Sequence, residues 1–189
     1  MEKTQIIIVN GLPCTGKTTI AREIAEHLGW PFIYKDGIKE ILFDTIGWSD
    51  RAWSKKMSLA AYELMYHQME QLLKAKTTFV MESNFRADVH RKRLVDLQKQ
   101  YNFEPLEILC YANGEKLFKR FKERARNGTR HPGHVDEFTF DELRMELLAG
   151  KTTPLKLSEA VLEVDTTVFE MQDGINLLQT IQAILLSKR

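Results

Sequence analysis

The chain has 189 residues, a length that suits one domain, residues 1–189, with a substantial core. Its 43% hydrophobic and 28% charged residues exclude a disordered or fibrous class. A formal net charge of +1 gives no global drive toward nucleic acid or an anionic membrane. Two cysteines, Cys14 and Cys110, are too few for a disulfide framework or a zinc site and point to a reducing, cytoplasmic setting.

Residues 5–10 read as a fully buried strand ended by Gly11 and Pro13, too short for a signal sequence. No stretch approaches the roughly 18 apolar residues of a membrane span. The periodicity of Ile20, Ala21, Ile24, Ala25 and Leu28 predicts a helix over 17–28 that Gly29 stops. A short strand at 31–34 and a helix at 37–46 follow. A long helix at 51–75 is capped by Ser49 or Asp50, with Trp53, Met57, Ala60, Leu64 and Leu72 on its apolar stripe. Residues 77–81 are the third strand, 86–101 a charged helix, 104–111 the fourth strand and 114–126 a very basic helix. A polar loop spans 127–136, a helix 138–148, a fifth strand 161–164 and a closing helix 174–186. Buried strands alternating with helices predict a doubly wound, mainly parallel α/β sheet.

The segment Gly11, Leu12, Pro13, Cys14, Thr15, Gly16, Lys17, Thr18 fits G-x-x-x-x-G-K-[ST] at every specified position. Gly11 and Gly16 free the backbone to aim successive amides at phosphate oxygens, and the helix beginning at Lys17, with Thr19 in its first turn, adds its positive end. Lys17 can follow the β- and γ-phosphates, and Thr18 offers a hydroxyl to Mg2+. Cys14 reads as filler. A buried strand before the motif and an amphipathic helix after it favour a nucleoside triphosphate–Mg2+ site over a chance Gly-rich turn, with ATP and GTP both open.

Asp36 follows the second strand at the edge where ligands collect in open α/β sheets, so it can orient and deprotonate an attacking hydroxyl; its bland alternative is a helix cap. Glu82 ends the third strand at the place of the acid that holds Mg2+, although an aspartate is usual there. Arg120, Arg126 and Arg130 belong to a basic stretch about 120–136. In it Arg126 and Arg130 read as a lid over the triphosphate, with Gly128 and Gly133 as hinges. Lys119 and Lys122 read as a solvated face, and His131 and His134 as polar loop residues.

Taken together, the loop 11–18, Lys35-Asp36-x-Ile-Lys39, Glu82-Ser-Asn-Phe85 and Arg130-His-Pro-Gly-His134 resemble the small P-loop kinases filed as AAA-type ATPases. That group is similar to the kinase domain of phage polynucleotide kinase and, more distantly, to chloramphenicol phosphotransferase, gluconate kinase and shikimate kinase. The resemblance implies a P-loop NTPase three-layer sandwich with a five-stranded parallel sheet of order 2-3-1-4-5 and an Arg-rich lid. It also implies Asp36 as general base, Arg126 or Arg130 as the lid arginine on the transferred phosphoryl, and an adenine site near Arg120 and Asp165–Thr167. The acceptor segment would be 38–76, whose Phe43, Trp48, Trp53, Tyr62 and Tyr66 are mostly core.

The expected activity is transfer of the γ-phosphoryl of Mg-ATP to a hydroxyl of a small acceptor, by a monomer or homodimer. A polynucleotide 5′-hydroxyl kinase, with Arg86, Arg91, Lys92 and Arg93 as part of a basic channel, ranks below it. A non-transferring switch or ATPase module ranks lower still. No guanine-reading Asn/Thr-Lys-x-Asp occurs, and Asp44-Thr-Ile-Gly47 follows a helical pattern rather than a strand.

Overall fold

A computed structural model describes residues 3–159 and 161–187. The amino-terminal half runs β1 (Gln5–Gly11), α1 (Lys17–Leu28), β2 (Phe32–Tyr34), α2 (Lys35–Ile46), α3 (Arg51–Lys74) and β3 (Phe79–Ser83). It continues through α4 (Ala87–Tyr101), β4 (Glu104–Tyr111), α5 (Gly114–Arg126), α6 (Phe140–Leu148), β5 (Val161–Asp165) and α7 (Met171–Ser187). The five strands form one parallel sheet in the order β2-β3-β1-β4-β5.

Side-chain alternation along β1 creates the two outer layers. Ile6 and Ile8 join Phe79 and Met81 beneath Met65 and Met69 of α3 and Leu94 and Leu97 of α4. Ile7, Val9 and Val80 face the other way, onto Ile20 and Ile24 of α1 and Leu177, Ile181 and Leu185 of α7. A third cluster, Leu12, Leu117, Phe121 and Leu147, seats α5 and α6 on the phosphate-loop end of the sheet. The register pairs Val9 with Glu82 and Tyr34 with Glu82, so β1, β2 and β3 deliver Gly11, Asp36 and Glu82 to one edge.

Several elements differ from the sequence reading. Only β1 and β3 are buried throughout, and β4 in all but its two end residues; β2 and β5 are edge strands and partly exposed. The buried stripe of α3 is Ser54, Ala61, Met65, Met69 and Leu73, one position on from the expected one, and Leu64 is 43% exposed. Ser54 disguises it, because a buried serine in contact with a buried lysine leaves no apolar signal. Asp50 caps this helix by accepting from the Trp53 amide. Helix α2 begins at Lys35 rather than Gly37, because the Tyr34 ring packs where a Cβ on Gly37 would sit, and the glycine thereby extends the helix instead of breaking it. The expected loop 127–136 contains a 3-10 turn at Pro132–His134, and a second turn at Asp136–Phe138 precedes α6. Glu107, buried in β4, accepts from the Leu155 and Lys156 amides and ties the segment before β5 to the sheet.

Candidate active site

The phosphate loop needs its glycines for two different reasons. At Gly11 an added Cβ would lie 2.5 Å from the Cys110 carbonyl oxygen, so the strand and the loop could not approach. At Gly16 the surrounding space is open, but φ is 73°, a left-handed angle that opens α1. Cys14 shares that region with φ 68°, an uncommon setting for a residue with a side chain. Thr15 Oγ1 donates to the Leu12 carbonyl at 2.9 Å, and Lys17 Nζ reaches the same oxygen at 3.4 Å. Leu12 itself is buried and Pro13 lines the cleft beyond the loop.

Thr18 Oγ1 donates to Glu82 Oε2 at 2.7 Å, and Lys17 Nζ lies 3.8 Å from Glu82 Oε1. Glu82 is 3% exposed, and burial pushes its carboxyl up while Lys17 pulls it back. A hydroxyl and a carboxylate meeting at the first turn of α1 are oxygen donors that fit a hard divalent cation. Among the described residues no group of three His, Cys, Asp or Glu could hold a metal by itself. These two residues therefore suit an ion whose other ligands are phosphate oxygens and water.

Asp36 lies in the first turn of α2 and does not cap it, since Tyr34 occupies that position without a side-chain bond. Its Oδ1 is 2.7 Å from Lys35 Nζ and its Oδ2 accepts from Arg130 Nη2 at 2.8 Å. Arg130 Nε also lies 2.9 Å from Asp136 Oδ2, which Arg124 Nη2 approaches at 3.2 Å. Asp136 thus holds two arginines side by side. Arg130 Nη2 further contacts His134 Nδ1 at 3.0 Å, and His134 Nε2 is 2.8 Å from Glu40 Oε1. These partners assign the Nε2–H tautomer. Burial, helped by Arg130, holds the imidazole below its ordinary value against the opposing Glu40 bond.

A cavity of about 130 Å3 collects these groups: Lys17 from the loop, Asp36 and Lys39 from α2, Arg124, Arg130 and Asn84. A neighbouring cavity of about 370 Å3 lies over Cys14, Thr15, Gly16 and Thr19, bounded by Arg120, Thr166 and Phe169. Arg120 Nη2 donates to the Thr166 and Thr167 carbonyls at 2.9 and 3.1 Å, which fixes its guanidinium at the rim. Thr166, not Thr167, lines this cavity; the Thr167 hydroxyl accepts from the Asn113 amide instead.

The structure therefore brings Gly11–Gly16 of the loop, Lys17, Thr18, Thr19, Asp36, Glu82, Arg120 and Arg130 to one sheet edge. Arg126 is exposed at the end of α5 and lines neither cavity. Its place at the phosphate loop is taken by Arg124, which the sequence reading left unassigned. Spacing carries the signal: Arg120 and Arg124 flank the buried Leu117 and Phe121 on one helical face, while Arg126 lies half a turn away. Gly133 packs against Phe43, and a Cβ there would lie 2.6 Å from the ring. Arg86, Lys92 and Arg93 are each paired with a carboxylate, Asp88, Asp96 and Glu63.

A Walker-type loop on the first strand of a 2-3-1-4-5 sheet, with an acid on β3 and an arginine lid, defines a P-loop phosphotransferase. The sequence model of a family described as an AAA domain matches residues 6–148. A candidate kinase of Chloroflexus aurantiacus is 36% identical, over 96% of this chain and 98% of that one, with a TM-score of 0.87. The chain belongs to this AAA-domain family and has the fold of the small P-loop kinases. Shikimate kinase of Bacteroides thetaiotaomicron (17% identity, TM-score 0.56, 95% and 97% of the two chains) shares the fold. So does a gluconokinase of Sinorhizobium meliloti (17%, TM-score 0.53, 100% and 99%). Comparison with curated sequences gives no significant match. No helix among the described residues is long and apolar enough to cross a membrane.

Proposed function

We propose that the protein transfers the γ-phosphoryl group of Mg-ATP to a hydroxyl of a small-molecule acceptor, with Asp36 as general base, within the single domain the sequence suggests. The observation that carries this reading is one cavity lined jointly by Lys17, Asp36, Arg124 and Arg130. The triphosphate lies along the loop amides, and its base occupies the cavity rimmed by Arg120 and Thr166. Thr18 and Glu82 would hold Mg2+, which would supply charge neutralisation to the phosphoryl oxygens. Lys17 follows the γ-phosphoryl, and Arg124 and Arg130 neutralise the charge that spreads over its equatorial oxygens.

Asp36, freed in part from Arg130 when that arginine turns to phosphate, accepts the hydroxyl hydrogen and aims the oxygen in line. A carboxylate held this acidic is a weak base. The loose transition state of phosphoryl transfer asks for orientation first and proton removal late, which suits it. The small volume of the cavity and the local pairing of Arg86, Lys92 and Arg93 support a small acceptor over a polynucleotide. The test is ATP consumption with Mg2+ against a panel of sugars, hydroxy acids, nucleosides, aminoglycosides and 5′-hydroxyl oligonucleotides. At least one small acceptor raises turnover over basal hydrolysis. Asp36→Asn keeps ATP binding and loses about 10²–10⁴-fold in transfer; undiminished transfer in that variant would sink the general-base assignment, and stimulation only by oligonucleotides would sink the small acceptor.

A further inference from the structure

Most cations around the transfer cavity are already committed. Lys35 is paired with Asp36 at 2.7 Å, Arg51 with Glu142 at 2.9 Å, and Arg124 and Arg130 with Asp136. Lys17 belongs to the phosphate loop. Lys39 differs. It lies one turn after Lys35 on the same face of α2, is 3% exposed, and lines the cavity that holds Asp36. Its ammonium donates one hydrogen bond, to Ser54 Oγ at 2.9 Å, and lies 5.2 Å above the Phe43 ring. Among the described residues no carboxylate forms an ion pair with it.

A buried ammonium without a counter-ion is strongly disfavoured unless a ligand supplies one. The groups that act on it are Lys35 and Asp36 of α2, Arg51 and Ser54 of α3, and Arg130 and His134 from the lid. Glu40 is taken up by His134, and Asp36 by Lys35 and Arg130. The amine left without a carboxylate partner is thus Lys39, on the wall made by α2 and α3, beside the proposed base.

We infer that Lys39 is the anion subsite of the phosphoryl acceptor, so that the hydroxyl oriented by Asp36 belongs to a small molecule that also carries a carboxylate or a phosphate. This rests on the transfer reading above, and it narrows the acceptor from any small alcohol to an anionic one. A cavity of about 130 Å3 limits the part held there to a few heavy atoms. Occupation has a second signature. Burial, reinforced by Lys35, lowers the Lys39 ammonium to about 7, so above that pH the empty site is largely neutral. An anion raises it again, and binding takes up a proton.

The test uses the whole protein saturated with Mg2+ and a non-hydrolysable ATP analogue, which fills the phosphate loop. Glycerate, glycerol 3-phosphate and glycerol are titrated calorimetrically at pH 8 in two buffers of different ionisation enthalpy. At least one anion binds about tenfold or more tighter than glycerol and takes up part of a proton; which anion does so separates carboxylate from phosphate recognition. Lys39→Met weakens that binding about 10–100-fold and abolishes the uptake, whereas Lys39→Arg retains binding without it. Anions that bind no better than glycerol, or equally well to Lys39→Met, overturn the subsite. Turnover separates the two readings. Anion binding through Lys39 without phosphorylation of any hydroxyl compound would overturn the kinase assignment and leave the subsite standing. Phosphorylation of neutral hydroxyls with an unchanged KM in Lys39→Met would overturn the subsite and leave the kinase.

Discussion

Arg130 Nη2 lies 2.8 Å from Asp36 Oδ2, and 94 residues of chain separate the two. The contact ties the lid to the first turn of α2, so a lid guanidinium donates a charge-assisted hydrogen bond to the proposed base. Burial alone would raise the Asp36 carboxyl, but Lys35 and Arg130 together hold it well below the usual carboxylate range. A depressed folded value means the stabilisation is present above the unfolded value, about 3.9, and is lost as pH falls through the folded one. The melting temperature of wild type should therefore exceed that of Asp36→Asn at pH 6, and the gap should close only below about pH 4. A gap that closes between pH 7 and 5 would remove the ion pair from the account.

The lid arginines are unequal. With the proposed role of its guanidinium on the transferring phosphoryl, Arg130→Ala should cost about three orders of magnitude in kcat with ATP binding weakened far less. Arg126→Ala, at an exposed helix end, should change kcat by about twofold or less. Steady-state kinetics on the two variants decides between them, and the reverse ranking would move the catalytic role to α5's terminus.

Glu82 carries the cost of function. Burial raises its carboxyl, and a raised folded value gives stability that is present below the unfolded value, about 4.3, and lost as pH rises through the folded one. The ionised form of Glu82 is thus a net burden on the ligand-free fold. Glu82→Gln should raise the melting temperature of the nucleotide-free protein by a few degrees. It should also increase the Mg2+ needed for half-maximal activity about tenfold or more. Chelation with EDTA should lower the ATP-dependent rise in melting temperature in wild type and change it little in the variant.

Gly133 packs on Phe43 where no Cβ fits. Gly133→Ala should destabilise by about 1–3 kcal/mol, seen as a melting temperature lower by about 2–4 °C per kcal/mol. Phe43→Leu in the same chain should recover part of that loss.

Much of this protein is local in origin. The phosphate loop needs left-handed backbone at Gly16 and space at Gly11, and only certain residues permit either, so the sequence marks the loop without reference to the rest of the chain. Strand order follows from the alternation of apolar strands and amphipathic helices together with family resemblance, and helix ends at Gly29 and Asp50 follow from capping. The buried face of α3 lies one position on from the one its apolar spacing suggests, and at its first turn Ser54 is buried with a bond from Lys39, which no hydropathy pattern carries.

What only the tertiary structure decided are the pairings across long chain separations. Which lid arginine meets Asp36, which acid aligns Arg124 with Arg130, and which lysine is left without a counter-ion depend on how α2, α3 and the turn at Pro132–His134 pack. Charge in a sequence gives the number of cations near a site. Burial and distance determine which of them are spent on neighbours and which remain for a ligand, and those two quantities exist only once the chain has folded.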